Sequence, residues 1–400
     1  MQTQSEYSSY REEIHAFVDD LLAFRHELHR HPEPSLKEYK TTDRLCRELD
    51  KAQIPYRRME PTGVAGELKG TKSSDNHIVL LRSDMDALEI SERTDLEFMS
   101  ENTNVMHACG HDIHMTNLLG AVRFLHEHPE EFSGTVRFVF QPAEEICAGA
   151  KLMIAQGVME GVDRAVGMHV SPTLPLGKVS AMPGACWASN DRFRITVHGR
   201  SAHGAMPQNG QDALVAASAV VMALQSLVSR ETDPNTALVL TVGSILSGSA
   251  YNIVAGDAVM QGTCRTFSRR LHAELPSRIR RIAENVAVAY GCTAELEYEV
   301  LCEVLCCDPD TTAIGLESAA KVLGEENAVL CQPQMIGEDF SYYTEHAKSV
   351  FFNLGARVKD DRRVFSLHSD RVLFDENAIE IGAAVLVQTA VDLLDTLAAS

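Results

Sequence analysis

The sequence predicts an α/β protein in which a mixed, largely parallel sheet with flanking helices is interrupted by an inserted α+β ferredoxin-like domain. Three observations lead there. Short apolar runs at 78–81, 136–140 and 165–168 alternate with helix-like stretches at 112–128 and 149–156, the rhythm of parallel strands joined by crossover helices. From 193 to 300 the order becomes strand, helix, strand, strand, helix, strand, the βαββαβ string of a ferredoxin-like unit. The chain has 400 residues, and one hydrophobic core stops growing at roughly 250–300.

Element by element, Ile14, Phe17, Leu21, Leu22 and Phe24 recur at helical spacing, and 35–49 repeats the pattern, so two helices lead. The three apolar runs are rich in Val, Ile or Phe and end in polar residues, as buried strands do. Within the insertion the strands fall at 193–198, 237–245, 258–267 and 293–300, and the helices at 212–229 and 271–290. The first rhythm then resumes with a helix at 311–322, a strand at 349–354 and a closing helix at 376–397. The expected division is 1–187 and 299–400 for one split domain, with 188–298 inserted.

Charge narrows the function classes. Thirty-six Lys and Arg against 56 Asp and Glu leave a net charge of −20, which repels phosphate backbones and anionic lipid. Nucleic acid and membrane are therefore not expected partners. No apolar run is read as approaching the roughly 20 residues of a bilayer span, and 1–11 is polar, so the expectation is a soluble, cytoplasmic protein. Ten cysteines without a CxxC pair are expected to be reduced thiols. Cys302, Cys306 and Cys307 sit among apolar residues as small buried hydrophobes. No G-x-S-x-G elbow occurs, against a serine hydrolase. The glycine-rich 243–248 lacks the lysine of a phosphate loop.

The strand ends carry the chemistry. Arg82-Ser83-Asp84-Met85-Asp86 follows the first run, Gln141-Pro142-Ala143-Glu144-Glu145 the second, and His169 the third. In parallel sheets ligands collect at that edge. Met106-His107-Ala108-Cys109-Gly110-His111-Asp112 stands before a helix, and Leu367-His368 comes late. Thiolate, imidazole and carboxylate together form the donor set of divalent transition metals. Adjacent glutamates behind a buried strand repel unless a cation or proton relieves them. One could then bind metal while its neighbour handles a water proton.

These motifs, with Leu28-His29-Arg30-His31-Pro32-Glu33, His203-Gly204-Ala205-Met206-Pro207, Gly262-Thr263-Cys264-Arg265-Thr266-Phe267 and Gly337-Glu338-Asp339-Phe340, run in order along nearly the whole chain. Together they resemble the M20 family of metal-dependent amidohydrolases and peptidases, in the branch of N-acyl-amino-acid, amino-acid-conjugate and hippurate hydrolases. The resemblance implies a zinc-peptidase-like catalytic domain holding two divalent ions per subunit, Zn or Mn. Cys109 would bridge them, and His111, Glu145, His169 and His368 would complete the ligand set. Asp86 and Asp112 would brace ligands by hydrogen bonds, and Glu144 would be the general base.

The inserted domain would then serve as lid and dimerisation surface, with His203 donating to the oxyanion and Asn252 and Arg265 binding substrate. Gln208 stands where many relatives have a second histidine, and Val254-Ala255 where an Ile-Pro pair is common. The implied reaction splits an N-acyl amino acid into a carboxylic acid and a free amino acid. Two alternatives stay open, a dipeptidase or carboxypeptidase on the same site and an inactive homologue that binds metal or ligand. A homodimer or higher homo-oligomer is the implied assembly.

Overall fold

The computed structural model describes residues 10–399. They form two compact units, one of 10–184, 306–332 and 339–399, the other of 185–305 and 333–338.

The first unit opens with α1 (Tyr10–His15), α2 (Val18–Arg30) and α3 (Tyr39–Lys51). The periodicity at the start runs unbroken, yet Ala16 and Phe17 bond back three residues to Glu13 and Ile14, so the helix splits. The second expected helix also starts late. Residues 35–38 are not helical, and Leu36 has φ 63°.

Next come β1 (Arg57–Arg58), β2 (Val64–Lys69), β3 (Ile78–Asp84), α4 (His111–Glu127), β4 (Thr135–Gln141), α5 (Gly149–Ala155), β5 (Arg164–Pro175) and β6 (Val179–Ala181). Short strands β7 (Gly184–Trp187) and β14 (Leu305–Cys307) lie where the chain passes between units. After them α8 (Pro309–Leu323), β15 (Ala328–Leu330), β16 (Lys348–Arg357) and α9 (Ala378–Ala398) return to the first unit. Its eight strands order as β1-β2-β4-β3-β5-β16-β6-β15. The centre, β4-β3-β5-β16, is parallel. Leu81, Phe138, Phe140, Val166 and Phe352 from these strands join α4 and α9 in one buried core.

In the second unit β8 (Asn190–His198), β9 (Ala202–His203), α6 (Ala213–Ser226), β10 (Leu238–Ser247), β11 (Ile253–Val254), β12 (Asp257–Thr266), α7 (Arg269–Ala289) and β13 (Thr293–Cys302) follow in order. The sheet β10-β12-β8-β13 is antiparallel throughout. Along β8, Asp191, Phe193, Ile195 and Val197 are buried while Arg192 and Arg194 are exposed. This alternation gives one face for the helices, and Phe193, Ile195 and Val197 share a core with Ala217, Val220, Leu275 and Ile279.

Two sequence expectations need correction. Two helical stretches, Ala213–Glu231 and Ala378–Ala398, are long and apolar enough to cross a membrane by length and composition. α9 is instead a core helix of its unit, with most of its residues buried. The cysteines also depart from uniform reduction. Cys46, Cys109, Cys264 and Cys292 are free thiols, whereas Cys147 and Cys302 are each disulfide-bonded.

Candidate metal centre

Three neighbouring parallel strands end at one place. β3 delivers Asp84 and, just beyond, Asp86. β4 ends at Gln141 and leads into a corner carrying Glu144 and Glu145. β5 runs further than expected, to Pro175, and His169 lies two residues past Gly167, the last position paired with β3. A fourth contribution comes from the start of α4. There Gly110 is the left-handed N-cap, φ 88°, between Cys109 and His111. A Cβ at Gly110 would lie 2.4 Å from a Val170 methyl, so this cap requires glycine. His368 completes the set from a loop, also left-handed at φ 63°, its N–H bonded to the Ala108 carbonyl at 3.0 Å.

The side chains converge. Cys109 Sγ lies 3.3 Å from His169 Nε2 and 3.4 Å from His368 Nε2. Glu145 Oε1 is 3.6 Å from His368 Nε2 and 3.8 Å from His111 Nε2. A tetrahedral cation with bonds of about 2.0–2.3 Å keeps its donors roughly 3.3–3.8 Å apart. Donor atoms group as Cys109, His111 and His169 on one side and Cys109, Glu145 and His368 on the other. Cys109 belongs to both, which is the requirement for a bridging thiolate.

Hydrogen bonding aims the donors. His111 Nδ1 donates to the Asp86 carbonyl at 2.8 Å and His169 Nδ1 to the Val170 carbonyl at 2.7 Å. Backbone carbonyls that take the Nδ1 proton leave each Nε2 as a lone-pair donor. His111 Nε2 and Glu145 Oε1 are buried without a hydrogen-bond partner. Two orphaned, opposed polar atoms in a closed site are costly unless something sits between them, and a divalent cation fits that place.

Electrostatics agree. Burial, with Glu145, Glu144 and Asp84 nearby, pushes the Cys109 thiol well above its ordinary value. Burial raises Glu145 to about 7, despite His111 beside it. Burial alone would depress His111, but Asp84, Asp86 and Glu145 push it up to about 10. Such a site gathers more negative charge than it can keep, and protons or cations must balance it.

Around this centre lies a buried bracing network. Asp84 accepts from Arg82 at 2.8 Å and from His114 Nδ1 at 2.6 Å. His114 Nε2 accepts the Val170 N–H at 2.8 Å, so its proton is on Nδ1. Arg82 also donates to Gln141 and Asp339, and Asp339 donates its N–H to Glu144 Oε1 at 3.4 Å. Asp86 accepts the N–H groups of Glu144 and Glu145 and lies 3.3 Å from His111 Nδ1.

The expected residues divide into three groups. Cys109, His111, Glu144, Glu145, His169, His368 and Asp86 come together. Asp112 turns the other way, to Arg25 at 3.0 Å and His29 Nδ1 at 2.8 Å, because consecutive residues in the first turn of α4 face different sides. His203, Asn252 and Arg265 belong to the second unit. His203 Nδ1 accepts the Ala205 N–H at 3.1 Å, which puts the ring proton on Nε2 as a donor. Asn252 gives its carbonyl to the Gly204 N–H at 2.7 Å. Arg265, on β12, points to the Met335 carbonyl at 3.4 Å.

Sequence reading passed over His114, one helical turn after His111 and so on the same face of α4. It also passed over Glu38 and His107. His107 is buried with neither ring nitrogen hydrogen-bonded, and burial pushes it down to about 3.

Comparison with known proteins places this geometry in context. Residues 80–392 match the sequence profile of peptidase family M20/M25/M40. The chain is 35% identical over 384 residues to N-acetylcysteine deacetylase of Bacillus subtilis, covering 96% of this chain and 99% of that protein. It is 34% identical over 379 residues to thermostable carboxypeptidase 1 of Saccharolobus solfataricus, covering 93% and 95%. Among solved structures, the Bacillus subtilis YXEP protein, described as a dinuclear metal binding peptidase, superposes with a TM-score of 0.82 at 32% identity, over 96% of this chain and 99% of that one.

Proposed function

The chain belongs to peptidase family M20/M25/M40 and is a hydrolase of amide or peptide bonds, and from this we propose that it cleaves N-acyl amino acids to a carboxylic acid and a free amino acid. The observation that carries the reading is the double grouping of donors through Cys109, with Glu144 adjoining the same His111 as Glu145. The similarity to a deacetylase of an N-acylated amino acid, along almost its full length, favours this substrate class.

Cys109, His111, Glu145, His169 and His368 would hold two divalent ions, Zn or Mn. Such a pair, when bound, makes water acidic enough to attack at neutral pH and polarises the amide carbonyl. Glu144, buried and steadied by the Asp339 N–H, takes the proton of the attacking water. It then returns that proton to the leaving nitrogen, since an amide nitrogen leaves as a neutral amine. Asp86 holds the His111 side of the site. The His203 Nε2 proton suits an oxyanion donor, and the Arg265 guanidinium with Asn252 suits the carboxylate of an amino acid.

Dipeptidase or carboxypeptidase action on the same site is the second reading, favoured by the carboxypeptidase relative. Assembly is proposed through the second unit. Leu214, Val215 and Met222 on α6 and Ile245 and Leu246 on the edge strand β10 are exposed, an apolar surface a second copy would cover.

The test is a panel of N-acyl amino acids and free dipeptides offered to zinc- or manganese-loaded protein, with Glu144→Gln as control. The reading expects turnover of acyl substrates, and a variant that keeps its metal yet loses roughly 10²–10⁴-fold in kcat. Turnover of dipeptides alone establishes the second reading.

A further inference from the structure

The corner that carries Glu144 and Glu145 is held from a segment a hundred residues earlier, between α2 and α3. We propose that Glu38 is a positioning residue for hydrolysis. With Asp86 it forms a two-carboxylate cradle that takes the consecutive N–H groups of Ala143, Glu144 and Glu145 and so fixes where the Glu144 carboxylate points. The kinetic half of this proposal rests on Glu144 being the base.

The geometry is continuous. Ala143 N–H donates to Glu38 Oε1 at 2.9 Å, Glu144 N–H to Asp86 Oδ1 at 3.1 Å and Glu145 N–H to Asp86 Oδ2 at 3.0 Å. Successive N–H groups turn to one side where right- and left-handed residues adjoin, making a concavity that binds anions. Ala143 supplies the left-handed residue, at φ 55°. An alanine resists that conformation, so the corner needs an outside hold. Glu38 is fully buried, and its other oxygen accepts the Thr62 hydroxyl at 2.8 Å.

The two carboxylates are also tied to each other. Ser35 Oγ donates to Asp86 Oδ2 at 2.6 Å, and Pro34 bridges to Ala87. The turn at Leu36, φ 63°, brings Glu38 under the corner two residues later. One short segment thus sets both halves of the cradle. The corner has a second anchor, since the Ala143 carbonyl accepts the Ala148 and Gly149 N–H groups, each at 3.1 Å. Removing Glu38 therefore loosens the corner without dissolving it.

Burial and the Asp86 charge raise Glu38 to about 7. Protonated or not, it keeps an oxygen lone pair for the Ala143 N–H. A neutral amide would do the same, with its NH2 turned to the Thr62 oxygen.

The experiment compares Glu38→Ala and Glu38→Gln with wild type in zinc-loaded enzyme, using an N-acyl amino acid that wild type turns over. Metal content, melting temperature and hydrogen exchange of a peptide spanning 140–149 are read alongside. Glu38→Ala should lower kcat roughly 10²-fold, the cost of about 1 Å of misplacement. Its KM should stay within about threefold, its metal content should be unchanged, and its exchange at 143–145 should be faster. Glu38→Gln should recover most of kcat and of the exchange protection. The proposal is overturned if Glu38→Ala keeps wild-type kcat, if it loses metal and melting temperature in step with kcat, or if Glu38→Gln is as impaired as Glu38→Ala. Turnover surviving in Glu144→Gln refutes the base assignment and the kinetic half with it, and exchange at 143–145 then judges the cradle by itself.

Discussion

Gly110→Ala should damage both stability and the proposed metal centre, because one backbone position holds two proposed ligands apart. Gly110 lies between Cys109 and His111 at φ 88°, where an L residue costs roughly 1–2 kcal/mol. The new methyl would also meet Val170 Cγ2 at 2.4 Å and Phe374 Cζ at 3.1 Å. Overpacking of this kind costs roughly 1–3 kcal/mol, and the two costs sum to about 2–5 kcal/mol against a total stability of about 5–15 kcal/mol. Val170 is a poor residue to displace. Its N–H is bonded to His114 and its carbonyl to His169, so a shift there carries a proposed ligand imidazole with it. Gly177→Ala is the control, since Gly177 has φ 84° but nothing within 4 Å of an added Cβ. It should lose only the backbone cost. Urea unfolding of both variants, with zinc content measured by elemental analysis, makes the comparison. The reasoning is refuted if Gly110→Ala is no less stable than Gly177→Ala and binds zinc as wild type does.

Further expectations concern the supports of each unit. Arg25→Met removes the buried cation paired with Asp112, a carboxylate that also takes His29 Nδ1, and breaking such a pair should cost about 3–5 kcal/mol; adding Asp112→Asn should recover part of the loss, read by the same unfolding curves. In the second unit, burial pulls His272 down, but hydrogen bonds and charges from Asp191 and Glu303 outweigh it and raise the imidazole to about 9. A folded value above the unfolded one of about 6.5 means stabilisation that is whole below pH 6.5 and lost as pH climbs through 9. Unfolding midpoints should therefore fall over that window in wild type and fall less in His272→Gln, and a parallel decline in both contradicts the assignment.

Much of the centre was legible because strand ends in a parallel sheet converge, so acids and imidazole after three apolar runs mark one edge. Glu145 and His169 stand at strand ends that this rule marks, while Cys109 and His111, ahead of a helix, took their assignment from the resemblance of the motifs to the family. What was not legible depended on backbone conformation rather than residue type. The left-handed residues Leu36 and Ala143 are neither glycine nor asparagine, so nothing in the sequence marked the turns that bring Glu38 under the catalytic corner. Periodicity instead extended a helix through 35–38. His114 needed only the one-turn spacing from His111, but it lies two residues beyond the end of the motif. Asp112 shows the reverse failure, because a neighbour in sequence to a ligand on a helix faces another side.

The central claim is that Cys109 is shared by two ions held among the strand ends. X-ray absorption on the zinc-loaded protein tests it most directly. The account predicts a sulfur neighbour at about 2.3 Å and a metal–metal distance of roughly 3.5–4 Å, with the sulfur signal absent in Cys109→Ser. A spectrum of nitrogen and oxygen neighbours alone, with no metal–metal contribution, would contradict it.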